Sequence, residues 1–471
     1  MKLFDSTPRQ KSPLRWLILM LCCISTFGDY YCFDNPGAVH DHLESQFDFL
    51  GQNFEYYYNL LYSIYSIVNI FIPLIGGNLI KIYGNKNMFL VFAIIIVLGQ
   101  LIVYLGCKNN SIYTMLIGRV IFGLGGDNLN VSQMTCVVEW FYKSESSFPM
   151  GLTLTISRIG SFFNDVLSPR LAGEKRDEEG KLNATNAFKW GFYFSVFSLI
   201  NVLIMLTLDY FKTKAIQNEI TLNDNINNIE IKNNEDNNMI TLIKRLNLMF
   251  WVISLLILLN YGCLMPFNYM AVGFFTKKHH ITKSVAGLLM GTPFIMGAIF
   301  VPILGCLVDK WGYRVELVFS SGFFLIIAFI LFNLMKPYPL ILLGLGYSIF
   351  ACVLWPSIPI ALKDKNLAGF GYGVASGLQN VSMSINPMII AQILVKYKSY
   401  FYCFIFLMII SIISVLLSGY LYHINKVKYN HILNRINYED ENNDDQKNSI
   451  NIEMPNIQNN NKNYNELEEE N

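Results

Sequence analysis

The sequence predicts an all-α membrane protein of twelve transmembrane helices, arranged as two six-helix bundles. Three observations predict it. Of 471 residues, 53% are hydrophobic and only 15% charged, a balance that would leave a water-soluble protein with too much exposed apolar surface. Twelve apolar runs are long enough to cross a bilayer, each near the ~20 residues that about 30 Å of hydrocarbon demands. Finally, the phrase Gly77-Asn78-Leu79-Ile80-Lys81-Ile82-Tyr83-Gly84-Asn85-Lys86 returns 228 residues on as Gly305-Cys306-Leu307-Val308-Asp309-Lys310-Trp311-Gly312-Tyr313-Arg314. A membrane chain that repeats once, at about half its length, reads as two homologous bundles, the usual build of a secondary transporter.

In chain order the first six runs lie at roughly 16–39, 57–80, 88–106, 111–138, 149–169 and 188–210. The other six lie at roughly 246–271, 285–308, 317–335, 339–361, 369–395 and 400–423. This divides the chain into a short N-terminus (1–15), an N-terminal bundle (16–210), a linker (211–245), a C-terminal bundle (246–425) and a tail (426–471). The linker carries polar stretches such as Asn233-Asn234-Glu235-Asp236-Asn237-Asn238 and reads as flexible. The tail is Asn-rich and acidic and reads as disordered from about Tyr429.

Basic residues near the spans set the orientation. Lys2, Arg9, Lys11 and Arg15 precede the first span; Lys212, Lys214, Lys232, Lys244 and Arg245 lie in the linker; Lys426 and Lys428 open the tail. All three regions fall on one side of a twelve-span chain, so both termini are expected in the cytosol. The opposing loop at 169–189 carries five bases and weakens this asymmetry.

Several classes are excluded. A net charge of +1 argues against a nucleic-acid partner. The nine cysteines show neither metal spacing nor a disulfide framework. No His, Cys or Ser arrangement suggests catalysis, and no cofactor motif occurs. The first apolar run leads into Asp29 and Asp34 rather than a small-residue cleavage site, so it does not read as a signal peptide.

The repeated phrase resembles the signature G-x-L-x-D-x-x-G-x-[RK] of the major facilitator superfamily, between helices 2–3 and 8–9. Its glycines permit a tight turn, and its acid can cap a neighbouring helix N-terminus. The second copy fits fully, with Asp309 and Arg314. In the first, Lys81 stands where the acid belongs, with Lys86 at the closing basic position. Further phrases resemble one branch of the superfamily, the lysosomal dipeptide uniporters. They are Thr26-Phe27-Gly28-Asp29-Tyr30 in helix 1, Gly118-Arg119 through Gly126-Asp127 in helix 4 and Ser157-Arg158-Ile159-Gly160-Ser161 in helix 5. Helix 7 adds Met265-Pro266-Phe267, helix 10 Tyr347-Ser348 and Leu354-Trp355-Pro356, and helix 11 Gln379-Asn380.

Ionisable side chains at bilayer depth are candidates for function by default. At ~1.5 Å per residue, Asp29, Asp127 and Arg158 form a middle layer, while Asp34, Arg119 and Asp165 lie nearer the far face. Arg158 and Asp165 stand about 10 Å apart along one helix, too far to pair, so Arg158 needs a partner from elsewhere, with Asp127 first choice. An acid and a guanidinium across a cavity suit a zwitterion: the acid takes an ammonium and the Arg fork a carboxylate. The alternative is a structural ion pair. Arg119 reads equally as gating or structure, and Asp34 with Asp165 as a gating or structural cluster. Trp355-Pro356 suggests a bend beside the cavity or a plain packing kink. Gln379 and Asn380 can offer neutral hydrogen bonds to cargo or to neighbouring helices. Gly369, Gly373 and Gly377 recur every fourth residue and form a small-residue face for close helix approach.

The resemblance implies the same roles: the branch carries Glu where this chain has Asp127, and its helix 5 Arg aligns with Arg158. An uncharged residue is expected there at position 29, so Asp29 is a departure that permits proton coupling or merely neutralises Arg158. The branch also relies on a glycosylated single-pass accessory subunit that protects it in the lysosome. Asn183-Ala184-Thr185 is a glycosylation sequon; Asn109-Asn110-Ser111 matches too but lies close to the membrane. Tyr464-Asn465-Glu466-Leu467 and Tyr429-Asn430-His431-Ile432 fit the tyrosine-based sorting pattern.

The sequence therefore reads as an alternating-access transporter of small solutes in a lipid bilayer. The resemblance makes the cargo a dipeptide carried to the cytosol from a lysosome-like compartment, an acidic vacuole or across the plasma membrane. The alternatives are a proton-coupled carrier of another organic solute (organic anion, sugar or drug) and a non-transporting sensor or scaffold.

Overall fold

The computed structural model describes residues 7–141, 145–173, 182–223, 239–334 and 338–435. Twelve long helices carry the fold. The N-terminal bundle contains α1 (Leu14–Ala38, broken at Thr26), α2 (Phe54–Tyr83), α3 (Asn85–Lys108), α4 (Ile112–Phe141), α5 (Ser147–Ala172) and α6 (Thr185–Asn223). The C-terminal bundle contains α7 (Leu248–His279), α8 (Thr292–Trp311), α9 (Arg314–Leu334), α10 (Pro339–Leu362), α11 (Ala368–Tyr397) and α12 (Tyr400–Val427). Ten of them are long and apolar enough to cross a membrane. The two that fall short, α4 and α5, carry Arg119, Asp127, Arg158 and Asp165. Their polar side chains belong to a protein interior rather than to lipid.

Two boundaries differ from expectation. Helix α6 runs on to Asn223, and a short helix covers Met239–Arg245, so both ends of the expected flexible linker are helical. Its middle, 224–238, lies outside the described residues, as does the tail from 436. The start of the tail is folded. His431 N donates to the Asn425 carbonyl (2.8 Å), Leu433 N to Asn425 Oδ1 (3.2 Å), and Ile432 and Leu433 are buried. Ile432 is the hydrophobic anchor of one sorting pattern, so in this conformation that pattern is not readable. The other, at Tyr464, lies outside the described residues.

The repeated phrase is where the bundles meet. A methyl added at Gly77 would stand 2.6 Å from the Gly369 carbonyl of α11, and one added at Gly305 would stand 2.9 Å from the Phe148 backbone of α5. The same glycine in both copies thus lets one bundle press on the first turn of a helix in the other. In the second copy, Asp309 Oδ1 accepts from Ser147 N (3.1 Å) and Oδ2 from Phe148 N (2.9 Å), capping α5 across the interface. Arg314 is fully buried, reaches Asp309 at 3.2 Å and donates to the Leu433 carbonyl (3.1 Å). Asn434 completes the knot by accepting from Val315 N (3.3 Å) and donating to Glu316 (2.8 Å).

The first copy is built differently. Lys81 stands in place of the acid, and the Leu367 cap of α11 makes no side-chain bond. Lys86 instead turns into its own bundle and pairs with Asp209 of α6 (2.5 Å), which also binds Arg9 (3.0 Å). Among the described residues, only the second copy caps the opposite bundle by side chain. Asp309→Ala is expected to strip two α5 donors and leave Arg314 buried without its carboxylate, costing this conformation about 3 kcal/mol or more. A lower melting temperature in detergent, with faster thiol labelling of a cysteine placed at the α5–α8 seam, checks it.

Glycines 369, 373 and 377 do line one face of α11, packed on α2. Added methyls there would stand 2.8 Å from Ile80 Cγ2, 2.1 Å from the Pro73 carbonyl and 2.8 Å from the Ile70 carbonyl. Residues 368–377 are buried throughout, whereas most of 381–397 is partly or fully exposed. The bundles are thus closed on the face that holds the chain ends. Asp127 and Arg158 lie at the far end of that closed seam.

Candidate functional site

Helix α1 breaks at Thr26, just before Asp29. The freed backbone groups find side chains: Gln133 of α4 donates to the Cys22 carbonyl (2.8 Å) and to Thr26 Oγ1 (2.9 Å). Ser198 of α6 donates to the Ile24 carbonyl (3.2 Å) and accepts from Gly28 N (2.9 Å). Broken helices whose ends are satisfied this way are typical of transporter binding sites. Asp29 follows on the new segment. It is buried, and its Oδ1 has no hydrogen-bond partner among the described residues. Asn130 faces it, and Asp127, Asp34 and Arg119 are its charged neighbours.

Asp127 sits at the middle of α4. It accepts from Tyr65 of α2 (3.2 Å) and, across the interface, from Ser376 (3.5 Å) and Asn380 of α11. The expected direct partner is not there: among the described residues Asp127 and Arg158 form no ion pair. Arg158 instead lies between two rings, Tyr30 of α1 at 5.4 Å and Phe294 of α8 at 4.8 Å from the guanidinium carbon. Its Nε has no hydrogen-bond partner among the described residues. The hydroxyls of Tyr347, Tyr30 and Tyr261, and the carboxylate of Asp34, are its electrostatic neighbours. The middle layer therefore presents an acid and a base separately, each against the opposite bundle.

Arg119 is a staple within the N-terminal bundle. Pro36 has no N–H for the carbonyl four residues back, and Arg119 Nη1 donates to that carbonyl, Cys32 (3.2 Å). Its other nitrogens donate to Phe33 (2.9 Å) and Leu61 (3.2 Å) carbonyls, while Phe33, Tyr62, Tyr65 and Phe122 ring the guanidinium. All three of these bonds run to backbone carbonyls of its own bundle. Asp34 faces Ser161 and lies within electrostatic reach of both arginines. Asp165 is exposed, with Asn164 donating to it at 3.4 Å.

Trp355 does not touch Arg158 directly. Its Nε1 donates to the Tyr261 hydroxyl (3.2 Å) and its ring faces Tyr372, while α10 stays helical through Pro356. Gln379 lies half-buried next to Asn380. On the far face, side-chain atoms of His40, Asp41 and Glu44 approach within 4.8 Å, but two of the three residues are exposed, as surface acid clusters commonly are.

The sequence profile of the Major Facilitator Superfamily matches residues 23–270 and again 250–435. The chain belongs to the Major Facilitator Superfamily. Curated relatives include the lysosomal dipeptide transporter MFSD1 of Bos taurus, 28% identical over 415 residues, or 87% of this chain and 86% of the relative. The human protein of that name is 28% identical over 421 residues, or 88% and 87%. Among solved structures, the E. coli fucose:proton symporter FucP is similar with a TM-score of 0.61 at 14% identity, covering 86% of this chain and 99% of that one. The proton:xylose symporter XylE reaches 0.66 at 12% identity, covering 86% and 95%. These structures share the superfamily's twin-bundle fold.

Sequence reasoning missed Tyr30, Tyr65, Phe294 and Tyr261 as neighbours of the two charges. With 27 Tyr and 35 Phe in the chain, ring position alone carries little signal. Phe294 is the clearest case. It starts a helix of the other bundle, and only the bundle interface brings it to Arg158.

Proposed function

We propose that this chain is an alternating-access carrier of small peptides, dipeptides foremost. One observation carries the reading: a half-buried guanidinium and a half-buried carboxylate share the inter-bundle layer without pairing to each other. Arg158 is caged by rings and keeps its Nε unbonded, while Asp127 is held by neutral donors of α11. A cargo carboxylate suits the guanidinium fork, and an ammonium suits Asp127, with Asp29 close behind as a second negative charge. Tyr30, Phe294 and Tyr347 form an apolar wall that asks little of the cargo's side chains. The similarity to proteins named lysosomal dipeptide transporters supports the same cargo and a lysosome-like membrane.

The cycle follows from the interface. With the chain-end face sealed by α2 on α11 and α5 on α8, cargo enters from the far face. Its ammonium then competes with Asn380 and Ser376 for Asp127, loosening the bond that ties α4 to α11. The bundles rock, the seam opens and cargo leaves. A facilitator needs only that both open states release the cargo. The positive-inside asymmetry supports a cytosolic position for both chain ends. Asn183 is exposed on the far face and available for glycosylation. A glycosylated single-pass subunit remains part of this proposal by resemblance.

The test is a dipeptide panel in thermal-shift and proteoliposome counterflow assays. Free dipeptides are expected to stabilise the protein and exchange across the membrane, and Asp127→Asn is expected to weaken both about tenfold. Saturable counterflow of sugars or organic anions without any for dipeptides would refute the reading. A second reading, a proton-coupled carrier, is favoured by the unbonded Asp29 Oδ1. It requires inward current with a neutral dipeptide and its loss in Asp29→Asn.

A further inference from the structure

Tyr347 stands in α10, on the bundle opposite Arg158. Its ring is wedged on Gly297 of α8, where an added methyl would lie 2.6 Å from Cε1. Phe294 and Phe350 close around it, with ring centroids 5.9 Å and 5.5 Å away. The residue is 1% exposed, yet its hydroxyl has no hydrogen-bond partner among the described residues. A buried hydroxyl without a partner is uncommon and calls for an explanation. Arg158 Nε is unbonded in the same way, and one ring links the two residues: Phe294 lies 4.8 Å from the guanidinium carbon and 5.9 Å, centroid to centroid, from the Tyr347 ring. Two donors, one from each bundle, thus face the same space.

We propose that Tyr347 Oη and the Arg158 guanidinium clamp one cargo carboxylate between the bundles, making Tyr347 a specificity-determining residue for a free carboxyl end. The inference rests on the peptide-carrier reading and names how one end of that cargo is chosen. The guanidinium can only donate, while the Tyr347 hydroxyl can donate or accept. A carboxylate satisfies both as donors, with two oxygens, two charge-assisted bonds and no hydrogen of its own. A carboxamide has one acceptor oxygen for the guanidinium, carries no charge, and can meet the hydroxyl only with an N–H. Tyr261 adds a third hydroxyl, already accepting from Trp355 Nε1 (3.2 Å), which orients its own hydrogen elsewhere. Because Arg158 belongs to α5 and Tyr347 to α10, the carboxylate also ties the bundles together, so its binding favours the state in which they are close.

The experiment compares leucyl-alanine with leucyl-alaninamide by thermal shift and by proteoliposome counterflow, using the full-length protein. Wild type is expected to prefer the acid. Tyr347→Phe keeps the ring that packs on Gly297 and removes only the hydroxyl. It is expected to weaken the acid about tenfold, weaken the amide much less and keep the unliganded melting temperature. A merely structural role would move both ligands and the melting temperature together. Gly297→Ala pushes the ring aside while retaining the hydroxyl and is expected to narrow the same preference, so it decides the matter if the Phe variant does not fold. An undiminished acid preference in Tyr347→Phe, or in Gly297→Ala where that variant must stand in, overturns the proposal alone. Wild type that binds neither compound overturns it together with the peptide reading.

Discussion

Arg158→Ala is expected to reduce dipeptide uptake at least a hundredfold and to abolish stabilisation by free dipeptides. A charge-assisted hydrogen bond contributes about 1.5–3 kcal/mol, and a guanidinium fork offers two to a carboxylate. Losing about 3 kcal/mol corresponds to a factor of more than a hundred in affinity. Unliganded protein should be far less affected. The substitution loses two ring contacts, each about 0.5–2 kcal/mol, but also removes a half-buried charge that has no ion pair among the described residues. Arg158→Lys keeps the charge without the planar fork and should recover only part of the activity. Thermal shift and counterflow with one dipeptide check all three proteins. Equal dipeptide stabilisation of wild type and Arg158→Ala would remove Arg158 from the binding site, whatever became of the fold.

Gly373→Val is expected to hold the chain-end face open. Even a methyl at Gly373 would stand 2.1 Å from the Pro73 carbonyl oxygen, and backbone of a packed helix cannot step aside as a side chain can. Overpacking of this kind costs typically 1–3 kcal/mol, and 3 kcal/mol changes a two-state ratio by a factor of more than a hundred. The bundles can relieve it only by parting between α2 and α11. Spin labels placed at the chain-end tips of α2 and α11 should therefore report a longer distance, and uptake should fall because one half of the cycle is depleted. Gly419→Ala is the control: its methyl would meet Phe319 at an ordinary 3.7 Å. Wild-type distances in Gly373→Val would show that the glycine face is not what permits closure.

Both predictions draw on features visible in the sequence, but to different depths. The glycine face was legible because a four-residue spacing puts small residues on one side of any helix. What it packs on was not, since α2 lies about three hundred residues earlier. The acid of the second repeat was legible as a helix cap because its chemistry permits little else at a membrane-face turn; its partner, the start of α5, comes from the other bundle. Arg158 was legible by cost alone, as a charge at bilayer depth. The inference of an Asp127 partner failed because depth along a helix says nothing about azimuth. Asp127 points to Asn380 and Ser376, and Arg158 to Tyr30 and Phe294. The two ends of the linker were misread from composition: 211–223 continues α6, and 239–245 is a short helix.

Apolar length, the single internal repeat and the price of charge in lipid determined from sequence that this chain is a twin-bundle membrane carrier whose charges at bilayer depth lie almost entirely in the first half. Those are local or periodic quantities, and each is written in consecutive residues. The tertiary structure decided which side chains face each other across the interface. It committed Arg119 to backbone carbonyls, closed the chain-end face, and set Phe294 against both Arg158 and Tyr347. Such contacts depend on how two separately folded bundles rotate and tilt against each other, and that rotation is fixed by packing spread over many helices rather than by any one stretch of chain.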